Sequence, residues 1–317
     1  MNITDLVTQY ISFRRTLGEQ CRTTEAILQA FCRAVGPKTQ LNRIRLRAVT
    51  EFLAGKRPVT RYWHSKHSIL KGFFKFAVSR GHLKKPPLPK DVPKRPPTLR
   101  PYIYTRDELR RLLNAIPLSQ PSVSRMEAPT LRAIVLLLYG AGLRASEARK
   151  LSDTDVDLPN ALITVRGTKF YKSRLIPISR DLTQVLTDYA RWRTKKHPRV
   201  DADGPFFVSR HGKPVHRCTL DNAFKRTREF AGIRRADGGR YQPRMHDLRH
   251  AFAVHRLTTW YLQGADVQRL IYHLSVYMGH AHLADTQVYL TMTPELLQQA
   301  STRFERWYYA GQEGHHA

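Results

Sequence analysis

Short amphipathic stretches fill the first eighty residues. Apolar positions at Leu6, Tyr10, Ile11 and Phe13, and again at Ile27, Leu28, Phe31 and Cys32, follow the three-and-four spacing of helices with one buried face. Val49, Phe52 and Leu53 mark a third short helix. Ile69, Leu70, Phe73, Phe74 and Phe76 mark a fourth, over about 62–78. From Lys84 to Pro97 the pattern breaks. Its repeated prolines can neither continue a helix nor donate to a sheet, so this piece should be extended and semi-rigid. The pattern therefore predicts a helical unit over 1–83, a Pro/Lys-rich linker over 84–101 and a larger unit over 102–317.

The larger unit opens on Thr105-Arg106-Asp107-Glu108, a capping-box signature ahead of Leu109, Leu112 and Leu113. Helical text over 131–138 and 146–151 gives way to two short strands, 161–165 and 174–178, joined by a polar, basic turn. Helices resume near 182–192, near 219–231 and from 246 onward. Thr293-Pro294-Glu295 opens a last helix, about 294–310, with proline at its first position; Leu297, Ala300, Phe304 and Trp307 form one apolar stripe along it. The expected fold class is mainly α, with a small β-hairpin or sheet in an α+β second unit.

Charge narrows the partners. The 317 residues carry 54 Lys+Arg against 25 Asp+Glu, a formal net charge of +29, which predicts salt-sensitive attraction to a polyanion. Composition alone leaves a ribosomal-type protein or a peripheral membrane binder beside other nucleic-acid binders. Arg61, Lys66, Lys71 and Lys75 on the fourth helix suit a helix lying along phosphates, and Lys84 and Lys85 could track a duplex backbone. Any one of them, taken singly, reads as a solvated cation. Three cysteines, odd in number and without metal-type spacing, argue against a disulfide framework and for a reducing cytoplasm. No secretory signal is visible, and the longest apolar run, 133–142, is too short to cross a bilayer.

Cutting a phosphodiester with a protein nucleophile needs an in-line attacker, neutralised equatorial oxygens, a group that takes the attacker's proton and one that protonates the leaving 5′-oxygen. Arg144, His246, Arg249, His280 and Tyr289 supply residue types for these tasks. Arginine's fork matches phosphate oxygens, histidine moves protons near neutrality, and a phenol can form a covalent ester. Any of them alone reads as a packing or surface residue; only the joint pattern is informative.

That pattern resembles the tyrosine recombinase (phage integrase) family. Gly142-Leu143-Arg144-Ala145-Ser146-Glu147 resembles its first arginine box and His246-Asp247-Leu248-Arg249-His250 its His-x-x-Arg box. Gly279-His280 followed by Tyr289 resembles its last box. The strand pair around the turn, ending in Arg174-Leu175-Ile176-Pro177, resembles the hairpin that carries the family's lysine; counting back from it places Lys169 there, with Lys172 as the neighbouring rival. The likeness spans about 105–309, while the first unit matches in size and helical character.

The resemblance implies two domains clamped around double-stranded DNA, with no cofactor and no metal. Tyr289 would form a 3′-phosphotyrosine link, Arg144 and Arg249 would stabilise the transition state with help from His280, His246 would assist removal of the phenol proton, and Lys169 would protonate the 5′-oxygen. Glu147 would orient the site, and Lys172 and Arg174 would meet DNA. The implied biology is integration, excision or transposition of a mobile element by a tetramer on paired sites, joined through the last helix. Accessory recombinases or directionality proteins would be further partners, and no membrane is involved.

The text between His250 and His280 is longer than the family's common spacing. This brings His273 and Tyr277 into view, with aromatic packing as their expected role. Several rivals follow from the same residues. His246 and His250, four apart, superficially match a zinc helix, but Arg249 between them opposes a dication. Asp153-Thr154-Asp155-Val156-Asp157 fails as a calcium loop, because Leu158 replaces the required glycine. A type IB topoisomerase or a catalytically silent DNA-binding accessory protein would share the fold.

Overall fold

The computed structural model describes residues 1–55, 59–96, 100–166, 173–198, 203–239, 241–292 and 294–313, without the side chains at 295, 303 and 306–313. The described residues divide into two units, those up to 96 and those from 100 onward.

In the first unit, four helices bury their apolar stripes against one another: α1 (Ile3–Thr16), α2 (Arg22–Val35), α3 (Leu46–Ala54) and α4 (Arg61–Ser79). Asn2 caps α1 by accepting from the Asp5 amide at 2.9 Å. Leu6, Leu28, Phe31, Leu70, Phe73 and Phe74 form the centre of its core. Phe13, expected inside, is 41% exposed and stacks on Phe76 instead. The proline-rich segment is without regular structure where described, and Leu83 and Leu88 pack on the core of this unit.

The second unit begins as its cap predicts. Thr105 Oγ1 accepts from the Glu108 amide at 3.1 Å and Glu108 returns the bond to the Thr105 amide at 2.9 Å, opening α5 (Arg106–Ser119). α6 (Ala128–Gly140) is buried on most sides and leads to a single turn, α7 (Ala145–Ala148), shorter than the helical text suggested. The sheet has three strands rather than two: β1 (Val156–Asp157), β2 (Leu162–Val165) and β3 (Arg174–Pro177), antiparallel in that order, with Ile163 opposite Ile176. Then come α8 (Arg180–Lys196), α9 (Arg217–Phe230) and α10 (His246–Leu262).

The unusually long interval between the histidine boxes is a full helix, α11 (Val267–Met278). Tyr277 is half-buried there, stacking on Phe252 and donating to the Pro177 carbonyl at 3.1 Å, whereas His273 is exposed. After α12 (Ala284–Gln287), Tyr289 sits in a 3-10 turn, Val288–Thr291, and α13 (Pro294–Glu313) packs against α10. Leu296 anchors α13 while Leu297 and Phe304 of the expected stripe are exposed. Thr293 and the Trp307 side chain lie outside the described residues. Among the described residues no helix is long and apolar enough to cross a membrane.

Candidate active site

Three arginines converge on the C-terminus of α11. Arg174 Nε donates to the Tyr277 carbonyl at 3.1 Å, Arg249 Nη2 to the Met278 carbonyl at 2.6 Å, and Arg144 Nη2 to the Gly279 carbonyl at 3.1 Å. Three consecutive carbonyls at the negative end of a helix thus each receive a guanidinium. These are groups a helix leaves unpaired, so they can hold the cations together against mutual repulsion.

Two glycines make the approach possible. Gly279 ends α11 at φ +68°, and a Cβ there would stand 2.8 Å from Arg174 Nη1. Gly142 has φ +62°, and its Cβ would fall 2.5 Å from the Phe252 ring; its carbonyl accepts the other terminal nitrogen of Arg249. Both glycines of the arginine and histidine boxes are therefore required for backbone conformation and for space.

Among the described residues, Glu147 is the one carboxylate hydrogen-bonded to these three arginines. It accepts from Arg144 Nη1 at 2.8 Å and the Arg144 amide at 2.9 Å, and from Arg174 Nη1 and Nη2 at 3.1 and 2.8 Å. Burial opposes its charge, but the Arg174 pair and then Arg144 outweigh that and hold the carboxyl down at about 2. Arg249, 2% exposed, donates through its terminal nitrogens to the Gly142 and Met278 carbonyls, and its guanidinium also hydrogen-bonds Tyr289. Burial, reinforced by the neighbouring Arg144, brings its guanidinium down to about 10, so it remains charged at neutral pH.

Tyr289 is 3% exposed, and its hydroxyl lies 3.0 Å from His250 Nδ1. Burial raises the phenol, partly opposed by the charges of Arg249 and Arg144. His280 stacks on the Tyr289 ring, centroids 6.1 Å apart, and its Nδ1 lies 2.6 Å from the hydroxyl of fully buried Thr286. Burial and then the field of Arg249 lower His280 to about 4. His246 is lowered by the same two causes, and its ring meets His250 edge-on at 4.8 Å. Asp247, the acid of the zinc comparison, is bonded to the Arg244 amide at 2.8 Å and to its guanidinium at 3.0 Å.

The structure thus brings Arg144, Glu147, Arg249, His280 and Tyr289 together, with His246 one helical turn behind. Lys169 and Lys172 lie outside the described residues. Arg174, expected on DNA, is half-buried within the site, where Glu147 and the Tyr277 carbonyl offer it a charge partner and an acceptor. Lys66, also expected on DNA, is buried at 8%. Its ammonium donates to the Phe52 carbonyl and, at 2.7 Å, to the Leu53 carbonyl, serving the C-terminus of α3. Arg61, Lys71 and Lys75 are exposed along α4, and Lys84 and Lys85 are exposed beyond it. Arg61, His64, Ser68 and Arg95 line an open groove of about 560 Å³ in the first unit. Sequence reasoning missed the role of His250, of Thr286 and of Arg174 as an internal cation; only the box wording His246-Asp247-Leu248-Arg249-His250 contained a hint.

A family model, the Phage integrase family, matches residues 103–295. The chain is 34% identical over 304 residues to y4rB of Sinorhizobium fredii, whose name assigns it to the integrases/recombinases; the match covers 95% of this chain and 96% of that one. Tyrosine recombinase XerA of Pyrococcus furiosus is 33% identical over 237 residues, 74% of this chain and 71% of that one. Among solved structures, the Tn1549 transposon integrase in complex with transposon right end DNA superposes with a TM-score of 0.69 at 18% identity, covering 96% of this chain and 99% of that one. A lambda integrase dimer bound to a core site gives a TM-score of 0.62 at 17% identity over 92% and 78%.

Proposed function

The chain belongs to the phage integrase family of tyrosine recombinases, site-specific enzymes that exchange DNA strands, and on that premise we propose the following residue roles. Tyr289 attacks the scissile phosphate and becomes its 3′-phosphotyrosine ester. Arg144 and Arg249 bind the nonbridging oxygens and neutralise the charge that grows on them. His280 donates to the same phosphate, and Lys169 protonates the leaving 5′-oxygen. Glu147 keeps Arg144 in place. The observation that carries this reading is the seating of three guanidiniums on the end of α11 beside the buried phenol of Tyr289.

We further propose that residues 1–83 form a DNA-binding domain joined by 84–101 to the catalytic domain over 102–317, and that both domains bind duplex DNA as a clamp. Arg61, Lys71, Lys75, Lys84 and Lys85 contribute backbone affinity. Paired sites are held by a tetramer that serves a mobile element, with accessory proteins setting direction. The exposed Leu297 and Phe304 on α13 support assembly through this helix and favour recombination over a topoisomerase.

The test is covalent trapping. Labelled duplex carrying the recognised site and a nick beside the cleavage point is expected to yield a denaturant-resistant adduct in EDTA. Tyr289→Phe is expected to yield none. An adduct retained by that variant would transfer the nucleophile elsewhere.

A further inference from the structure

The resemblance assigns the phenol's proton to His246, but the hydroxyl of Tyr289 faces a different histidine. Nδ1 of His250 lies 3.0 Å from it, hydrogen-bonding range, while the ring of His246 stands edge-on to His250 at 4.8 Å between centroids. His250 is one turn further along α10, so its ring projects toward the 3-10 turn that carries Tyr289, with the two rings 5.6 Å apart. We propose that His250 is the catalytic proton acceptor for Tyr289, with His246 acting behind it as a positioning residue. This rests on the reading of Tyr289 as nucleophile.

The step balances as follows. The Tyr289 O–H bond breaks, its proton bonds to Nδ1 of His250, and the phenolic oxygen forms the new bond to phosphorus as the bond to the 5′-oxygen breaks. That oxygen takes a proton from a general acid, the role proposed for Lys169. On religation the 5′-hydroxyl gives its proton back to that general acid as its oxygen bonds to phosphorus, the bond from phosphorus to the phenolic oxygen breaks, and His250 returns its proton to Tyr289.

The surroundings keep the His250 ring neutral in the resting protein, the state from which it can accept. Burial lowers His250 to about 4, as do the rings and cations of His246, Arg244 and Arg249; Asp247 acts in the opposite sense. Tyr289 faces the ring from the turn packed against α10. A neutral imidazole with its proton on Nε2 presents a lone pair to the phenol. Without an acceptor, cleavage would wait for the phenol to ionise in water, at a rate rising tenfold per pH unit below its pKa.

Single-turnover adduct formation on saturating nicked DNA, followed from pH 6 to 9 for wild type, His250→Ala, His250→Asn and His246→Ala, tests this. The expected result for His250→Ala is a loss of about 10²-fold or more at pH 7 that shrinks steadily as pH rises, with DNA affinity within about twofold of wild type. His250→Asn, whose side-chain amide preserves a hydrogen bond at the same place without accepting a proton, should show the same pH slope and guards against a folding defect in the alanine variant. A loss independent of pH, a His250→Ala rate within threefold of wild type, or the sloping profile in His246→Ala instead, would overturn the proposal. Absence of any wild-type adduct would defeat the reading of Tyr289 itself, a separate outcome.

Discussion

Two buried arginines in the second unit show how one residue type serves opposite ends. Arg193 on α8 meets Asp153 with two parallel bonds of 2.6 Å and adds the Phe206 carbonyl at 3.0 Å. Arg249 on α10 is more deeply buried and bonds the carbonyls of Gly142 and Met278, with no carboxylate directly on its terminal nitrogens. Around Arg193 the charge is cancelled, so the pair locks α8 to the start of the sheet region. Around Arg249 dipoles hold the guanidinium in place but leave its charge for an incoming anion. Holding a buried cation on carbonyls and a phenol, without a carboxylate on its terminal nitrogens, is unfavourable. It makes sense where a phosphate is expected to finish the job.

The widest split should come from exchanging the two arginines for methionine. Arg249→Met is expected to cut the adduct rate by roughly 10²–10³-fold or more, as for losing a donor to a developing charge. Arg193→Met should leave the rate per folded molecule near wild type while lowering stability by about 3–5 kcal/mol, because Asp153 is left without its partner. Paired denaturation and trapping assays read both effects. If Arg193→Met silences cleavage in fully folded protein, the contrast between the two sites fails.

A smaller change sharpens the same contrast from the anion's side. Glu147→Gln removes the carboxylate that links Arg144 to Arg174, and cleavage is expected to slow by about 10–100-fold with DNA affinity unchanged or slightly higher. Unchanged kinetics would mean that the α11 carbonyls alone seat both arginines.

Acid should reach the active-site histidines before it reaches Glu147. His250 and His280 are held down at about 4 while an unfolded histidine titrates near 6.5, so between these values the unfolded chain binds more protons. Their share of stability is present above about pH 6.5 and is lost as pH falls toward 4. Glu147, held at about 2, loses its share only below about pH 4.5. Melting temperature against pH should therefore begin to drop in the histidine window, and His250→Phe should flatten that part of the curve.

The smallest effects separate cations within one helix. Lys71→Ala and Lys75→Ala should each reduce the salt slope of DNA binding by up to about 0.9. Lys66→Met should leave the slope alone and lower thermal stability. An altered slope for Lys66→Met would return that lysine to the DNA surface.

Local rules were readable in the chain wherever neighbours in sequence are partners in space. The Thr105–Glu108 cap, the stripe at Ile27, Leu28, Phe31 and Cys32, the proline break after Lys84 and the strand pair ahead of Pro177 all depend on spacings of a few residues, and all appear in the structure. The family boxes were legible for a related reason: Gly142 and Gly279 are demanded by local backbone conformation, so the wording around Arg144 and His280 carries a recognisable imprint. Charge on the helix from Arg61 to Ser79 was legible only as a total. No periodicity distinguishes Lys66, turned onto the end of α3, from Lys71, turned to solvent.

By itself, then, the amino-acid sequence determined the mainly helical class with its small sheet and most of the helices, because helix periodicity, capping and turn chemistry act over a turn or two. Tertiary structure alone decided that the extra text before His280 is a helix whose last carbonyls seat three arginines. It also decided that Arg174 is an internal cation and that His250 rather than His246 meets the phenol. Those contacts join residues 27 to 135 positions apart. Their geometry depends on how α10, α11 and the turn at Tyr289 pack, and side-chain patterning names the face a residue occupies without naming what lies across from it.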